Sequence, residues 1–151
     1  MFDSTVYSNR RKALLQKMTA CRGLAVFVGN VDAAMNYRGN DYKFRQDSNF
    51  MYFWGIDEPA FAAVLDIDNG TECLYGNDVD IDDIIWMGPQ PSVASKGAAV
   101  GCGNTAPLAE FDKAVAGRLE GGKIVADIDL DHAGAIDQLV SEIDTHFNLA
   151  R

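Results

Sequence analysis

Residues 45–55 read RQDSNFMYFWG, from Arg45 to Gly55, and Ile56, Asp57, Glu58 and Pro59 follow directly. The aromatic residues Phe44, Phe50, Tyr52, Phe53 and Trp54 crowd around the polar run Arg45-Gln46-Asp47-Ser48. Aromatic enrichment with imperfect alternation predicts that Asn49 to Trp54 is a short strand or tight turn entering a sheet. Tyr52, Phe53 and Trp54 are expected to pack inward. Arg45 and Asp47 read as a semi-buried pair that ties down the preceding loop, with Ser48 capping a turn. Polar clusters beside aromatic cores serve architecture more often than chemistry. Gly55 lets the chain turn where a side chain would collide. Pro59 then fixes the entry to the next strand.

Working outward, Asn9 to Met18 carries Leu14, Leu15 and Met18 on one face of an amphipathic helix capped by Ser8 or Ser4. Leu24 to Val28 reads as a buried strand. Asn30 to Lys43 is polar and interrupted by Gly39, which predicts a long irregular loop leading to Arg45. Phe61 to Ile67 and Glu72 to Tyr75 flank Asp68-Asn69-Gly70-Thr71, the signal of an antiparallel hairpin. Ile81 to Trp86 reads as a short helix. Pro107 to Leu119 reads as a clearer one, with Gly121-Gly122 beyond its end. Lys123 to Ile128 is the next strand. Ala133 to Leu149 closes the chain with Ile136, Leu139, Val140, Ile143 and Phe147 at helical spacing. Strands interleaved with helices, plus one hairpin, define an α/β domain with a mixed β-sheet flanked by helices.

The 151 residues, 48% hydrophobic, suffice for one core and one domain spanning 1–151. A formal charge of -9 argues against nucleic acid or an anionic membrane as partner. The only basic run, Arg10-Arg11-Lys12, is expected on a solvated helix face. Cys21, Cys73 and Cys102 are odd in number and share no CxxC spacing, which fits a reducing, cytoplasmic location rather than a disulfide framework. No signal pattern opens the chain, and no apolar run approaches the ~20 residues that span a bilayer.

Several motifs imitate sites. Asp78, Asp80 and Asp82 are spaced like the opening of a calcium loop, but Asp83 and Pro89 stand where that loop needs Gly and Glu. Asp127, Asp129, Asp131 and His132 sit where a strand gives way to a helix, and carboxylates there cap free N–H groups. His146, on the last helix, has no partner nearby in sequence. Gly101-Cys102-Gly103-Asn104-Thr105-Ala106 satisfies G-x-G-x-x-A, but Lys96 to Val100 is too short, small and Gly-broken for the strand that a dinucleotide site requires. There is no G-x-S-x-G, and no cysteine has a histidine neighbour in sequence. Metal ligands and catalytic residues are therefore not assigned in this chain.

The stretch Arg45 to Gly55 resembles the Arg-Gln-x-Ser-x-Phe-x-Tyr-x-x-Gly of the aminopeptidase P, prolidase and creatinase superfamily, and Glu58-Pro59 matches the Glu-Pro that follows it. The likeness extends through the strand at Phe61 to Leu65 and Leu74-Tyr75 to Ile85-Trp86-Met87-Gly88, similar to the family's Ile-Trp-x-Gly, and covers Tyr7 to about Phe111. It implies the non-catalytic N-terminal domain of a longer metallopeptidase. The absent part would be a pita-bread catalytic domain whose two Asp, one His and two Glu hold a pair of divalent metals, usually manganese. The aminopeptidase P branch fits Tyr52-Phe53-Trp54-Gly55 and Ile85-Trp86 better than prolidase. A catalytically dead binding module, like histone-chaperone subunits with this fold, is the alternative of a different class. The resemblance implies that the domain meets the catalytic domain of its own or a neighbouring subunit in a homo-oligomer, and that it limits access to short proline-containing peptides. It also makes Trp86 the candidate substrate-binding residue. By pattern alone, Trp86 after Ile84-Ile85 reads equally well as core.

Overall fold

The computed structural model describes residues 2–37, 40–79, 88–120 and 125–127. The expected helix at Ile81 to Trp86, Trp86 itself and the expected helix at Ala133 to Leu149 lie outside the described residues, as do Asp80, Asp82, Asp129, Asp131, His132 and His146.

Helix α1, Ser4–Lys17, starts earlier than its apolar periodicity indicates, and its cap is Asp3 rather than Ser4 or Ser8. The Asp3 carboxylate accepts from the Thr5 N–H at 2.9 Å and from the Thr5 hydroxyl at 2.6 Å, satisfying a free donor of the first turn. Strand β1, Leu24–Val28, follows. The expected strand at Asn49 to Trp54 is instead helix α2, Ser48–Trp54. Asp47, not Ser48, is its cap, accepting from the N–H groups of Asn49 at 2.9 Å and Phe50 at 2.8 Å. Phe50, Phe53 and Trp54 are buried at i, i+3 and i+4, while Tyr52 points outward and is 50% exposed. Gly55 ends the helix at φ 65°, its N–H donating to the Phe50 and Met51 carbonyls. A Cβ on Gly55 would collide with the Tyr7 ring, so the glycine serves both the turn and the packing of α1 on α2.

Strands β2, Ala62–Asp66, and β3, Thr71–Gly76, form the expected hairpin, paired antiparallel from Ala62 with Tyr75 to Asp66 with Thr71. The Asp66 carboxylate braces the turn by accepting from the N–H groups of Asp68 and Asn69 and from the Asn69 amide. Helix α3, Val93–Ala99, lies where the sequence offers G-x-G-x-x-A no strand, so the chain enters Gly101 from a helix, contrary to a dinucleotide fold. Strand β4, Thr105–Pro107, leads through a 3-10 turn, Leu108–Glu110, into helix α4, Phe111–Glu120, so Pro107 ends a strand instead of opening the helix. Strand β5, Val125–Asp127, completes the described chain.

The sheet runs β4-β3-β2-β1-β5. Its three central strands are antiparallel neighbours, and β4 and β5 add parallel at the two edges. Along β1 and β2 alternate residues serve different layers. Ala25, Phe27, Ala63 and Leu65 pack with α1, α2 and α3 through Leu14, Phe50, Phe53, Trp54 and Val93. Leu24, Val26, Ala62 and Val64 face the side on which Leu108, Phe111, Ala114 and Val115 lie. Coverage on both faces explains why these two strands read as continuous apolar runs rather than alternating ones.

Candidate functional site

The motif that decides the fold also builds its most ordered polar site. Gln46 is 4% exposed, and its side-chain amide fills both donor and both acceptor positions. Its Oε1 accepts from the N–H of Asn30 at 2.7 Å and of Asp47 at 3.0 Å. Its Nε2 donates to the carbonyls of Ile56 at 3.1 Å and Glu58 at 2.7 Å. One side chain thus fastens the exit of β1, the start of α2 and the turn into β2. Gly29 passes so close that a Cβ there would lie 2.7 Å from the Phe61 carbonyl oxygen and 3.0 Å from Gln46 Oε1. The architectural reading of Gln46 and Asp47 holds. The expected Arg45–Asp47 pair does not form: Asp47 spends its carboxylate on α2, and Arg45 is exposed.

From this clasp the segment between Asn30 and Arg45 projects as an irregular antiparallel arm. The Asn30 amide donates to the Arg45 carbonyl at 2.9 Å, the Tyr42 N–H to the Ala33 carbonyl at 2.9 Å, and the Met35 N–H to the Asn40 carbonyl at 2.8 Å, with a bridge between Ala34 and Asp41. These rungs share one register, so the expected loop is more regular than its composition indicates. Val31 is 68% and Tyr37 66% exposed, and Met35 and Tyr42 are also exposed. Large apolar side chains left in water on one element mark a contact surface.

Behind α2 lies a second cluster that sequence reasoning missed. Arg11, expected to be solvated, is 0% exposed. Its Nε and Nη2 donate to the two Glu72 carboxylate oxygens at 2.7 and 2.9 Å, Nη1 to the Phe53 carbonyl at 2.9 Å and Nη2 to the Val100 carbonyl at 3.0 Å. The guanidinium carbon also lies 4.4 Å from the Trp54 ring centre. Arg11 therefore joins α1, the end of α2, β3 and the end of α3. A position one step ahead of Lys12 gave no warning, because only the distant Glu72 decides that this arginine is buried. Neighbouring Arg10 remains at the surface, stacked 4.0 Å from the Tyr52 ring centre and donating to the Tyr52 carbonyl at 2.7 Å.

Chemistry of the catalytic kind finds little support in these groups. Burial pushes the Cys102 thiol up to about 11 and the Cys73 thiol up as well, so both stay protonated near neutrality and make poor nucleophiles or ligands. Asp78 of the acidic turn accepts from the Val93 N–H at 2.6 Å and helps start α3. Among the described residues no three His, Cys, Asp or Glu side chains gather as a metal-binding group. The donor set therefore does not fit the metal pair implied by the resemblance, and no helix of the described residues is long and apolar enough to cross a membrane.

A five-stranded mixed sheet, helices on both faces and a Gln46 clasp with an apolar arm define a structural domain of α/β class with a docking surface. The model of the aminopeptidase P N-terminal domain matches residues 7–126, and the chain belongs to that family. A probable Xaa-Pro aminopeptidase from Penicillium rubens is 36% identical over 89 residues, covering 55% of this chain and 17% of the relative. One from Aspergillus niger is 33% identical over 78 residues, covering 52% and 16%. The chain thus spans about a sixth of the length of these relatives. Escherichia coli aminopeptidase P, solved with the inhibitor Pro-Leu, superposes with a TM-score of 0.70 at 23% identity, over 95% of this chain and 33% of that one. Proline aminopeptidase P II from Yersinia pestis gives 0.66 at 22% identity, over 93% and 32%. These superpositions bear out the α/β fold with its mixed sheet.

Proposed function

We propose that this chain is the non-catalytic N-terminal domain of a cytoplasmic Xaa-Pro aminopeptidase, which removes N-terminal residues that precede proline. The observation that carries the reading is the exposed apolar arm on an otherwise well-packed member of the aminopeptidase P N-terminal family. Such an arm suits a domain made to rest against another body, here the catalytic portion of its own or a neighbouring subunit. That portion would supply the divalent metals, manganese by resemblance, and with them the hydrolysis. This domain would narrow access to short proline-containing peptides and support a homo-oligomer, with Trp86 lining the substrate pocket.

The test compares the 151-residue chain with the complete polypeptide that carries it. The complete protein should cleave Xaa-Pro peptides in a manganese-dependent way, and the chain alone should not. Trp86→Ala should leave the melting temperature of the chain nearly unchanged while lowering kcat/KM of the complete enzyme by roughly tenfold or more, ~1.4 kcal/mol of transition-state stabilisation. Unaltered kinetics, or a chain that unfolds, would return Trp86 to the core. Hydrolysis by the 151-residue chain itself would overturn the non-catalytic reading.

A further inference from the structure

Of the polar residues that open the deciding motif, Gln46 and Asp47 are fully used inside the domain, the first as the clasp and the second as the cap of α2. Arg45 differs. Its carbonyl accepts from the Asn30 amide, which fixes its backbone at the base of the arm, but its guanidinium has no hydrogen bond, ion pair or ring contact among the described residues. A side chain that is held in place and left unused stands beside Val31, Met35, Tyr37 and Tyr42, the exposed apolar residues of the arm. Tyrosine, methionine and arginine are the residue types enriched at protein interfaces, and a planar guanidinium on a fixed backbone is suited to a bidentate carboxylate contact. The chain carries a net charge of -9, so a cation here gives a docking face a sign opposite to that of the domain as a whole. Self-association of two such acidic copies is disfavoured by that charge. Most of the length of the matched relatives also lies outside this chain.

We propose that Arg45 is an interface anchor that pairs with a carboxylate on the catalytic portion of the complete polypeptide, while the apolar arm packs beside it. The inference rests on the two-part reading given under the proposed function, and it names the residue and the partner chemistry of the docking surface.

Phenylglyoxal footprinting with mass spectrometry tests it. Arg45 and Arg22 are both exposed in the 151-residue chain and should be modified readily there. In the complete protein Arg45 should react roughly fivefold more slowly or less, as expected for a group buried at an interface, while Arg22 keeps its rate. Arg45→Glu should leave the melting temperature of the 151-residue chain within about 1 °C of the parent, as for an exposed site, yet restore fast modification at Arg10-type surface rates to none but arm residues in the complete protein, read by faster hydrogen exchange at Met35 and Tyr42. Equal Arg45 reactivity in the chain and in an active complete enzyme would overturn the anchor and leave the functional reading intact. Arg45 protected in a complete protein that fails to hydrolyse Xaa-Pro peptides would keep the anchor and remove the peptidase reading.

Discussion

Replacing Arg11 by Ala should destabilise this domain more than any other single change to a charged residue described above. The guanidinium makes four hydrogen bonds, two of them to Glu72, whose side chain is 24% exposed. Removing one partner of such a pair leaves a partly buried carboxylate without its counter-ion, for a loss of about 3–5 kcal/mol. The Phe53 and Val100 carbonyls also lose a donor, and the Trp54 ring loses the cation above it. Against a total stability on the order of 5–15 kcal/mol, about 4 kcal/mol lowers the melting temperature by roughly 8–16 °C in a domain of this size. Urea unfolding of the 151-residue chain measures the loss directly. The double variant Arg11→Met/Glu72→Leu separates the ion pair from the packing. Because both charges are then gone, it should recover about half of the loss, the remainder being the two carbonyls left without a donor. A single variant within about 1 kcal/mol of the parent, or losses at Arg11 and Glu72 that simply add, would refute the account of Arg11 as a buried junction.

Phe53→Ala should cost about 3–4 kcal/mol as a buried ring is removed, whereas Tyr52→Ala should cost less than about 1 kcal/mol, and equal losses in denaturant melts would contradict their opposite placement. Ala60 sits at φ 60°, where a side chain is strained, so Ala60→Gly should raise stability by about 1 kcal/mol; a loss on thermal unfolding would mean that the methyl group earns its place. Burial first, then its hydrogen bond with Cys73, pushes the Tyr75 phenol up from 10.0 to about 12. A folded-state value above the unfolded one means that this contribution to stability is complete below pH 10 and is lost as the pH rises toward 12, and Tyr75→Phe should remove that component from the stability-versus-pH curve.

The strands and the hairpin were legible because their signals are local: Leu24 to Val28 is a continuous apolar run, and Asp68-Asn69-Gly70 announces its turn. Helix α2 was misread because seven residues give barely two helical turns, too few for a period to outweigh four aromatics that favour strands. Its true signals were the flanking Asp47 and Gly55, a cap at each end. Burial of Arg11 depends on Glu72, 61 positions away, and the regularity of the arm depends on rungs between residues of no special type. The docking role of the motif was legible only through family resemblance. Its physical basis emerged once Gln46 and Asp47 were seen to be spent internally and Arg45 was not.

The Gln46 clasp separates the length of the arm from the integrity of the sheet. Both ends of the arm are held at its base, by Asn30 on one side and by Gln46 and Asp47 on the other, so residues added near Tyr37 meet no core atom. Closing a longer loop between fixed ends is cheap, about 0.6 kcal/mol for each doubling of length. Relatives are therefore free to lengthen, shorten or rewrite the tip to suit different neighbours while the eleven letters from Arg45 to Gly55 stay as they are, and variation in the reach of the domain need not be bought with its stability.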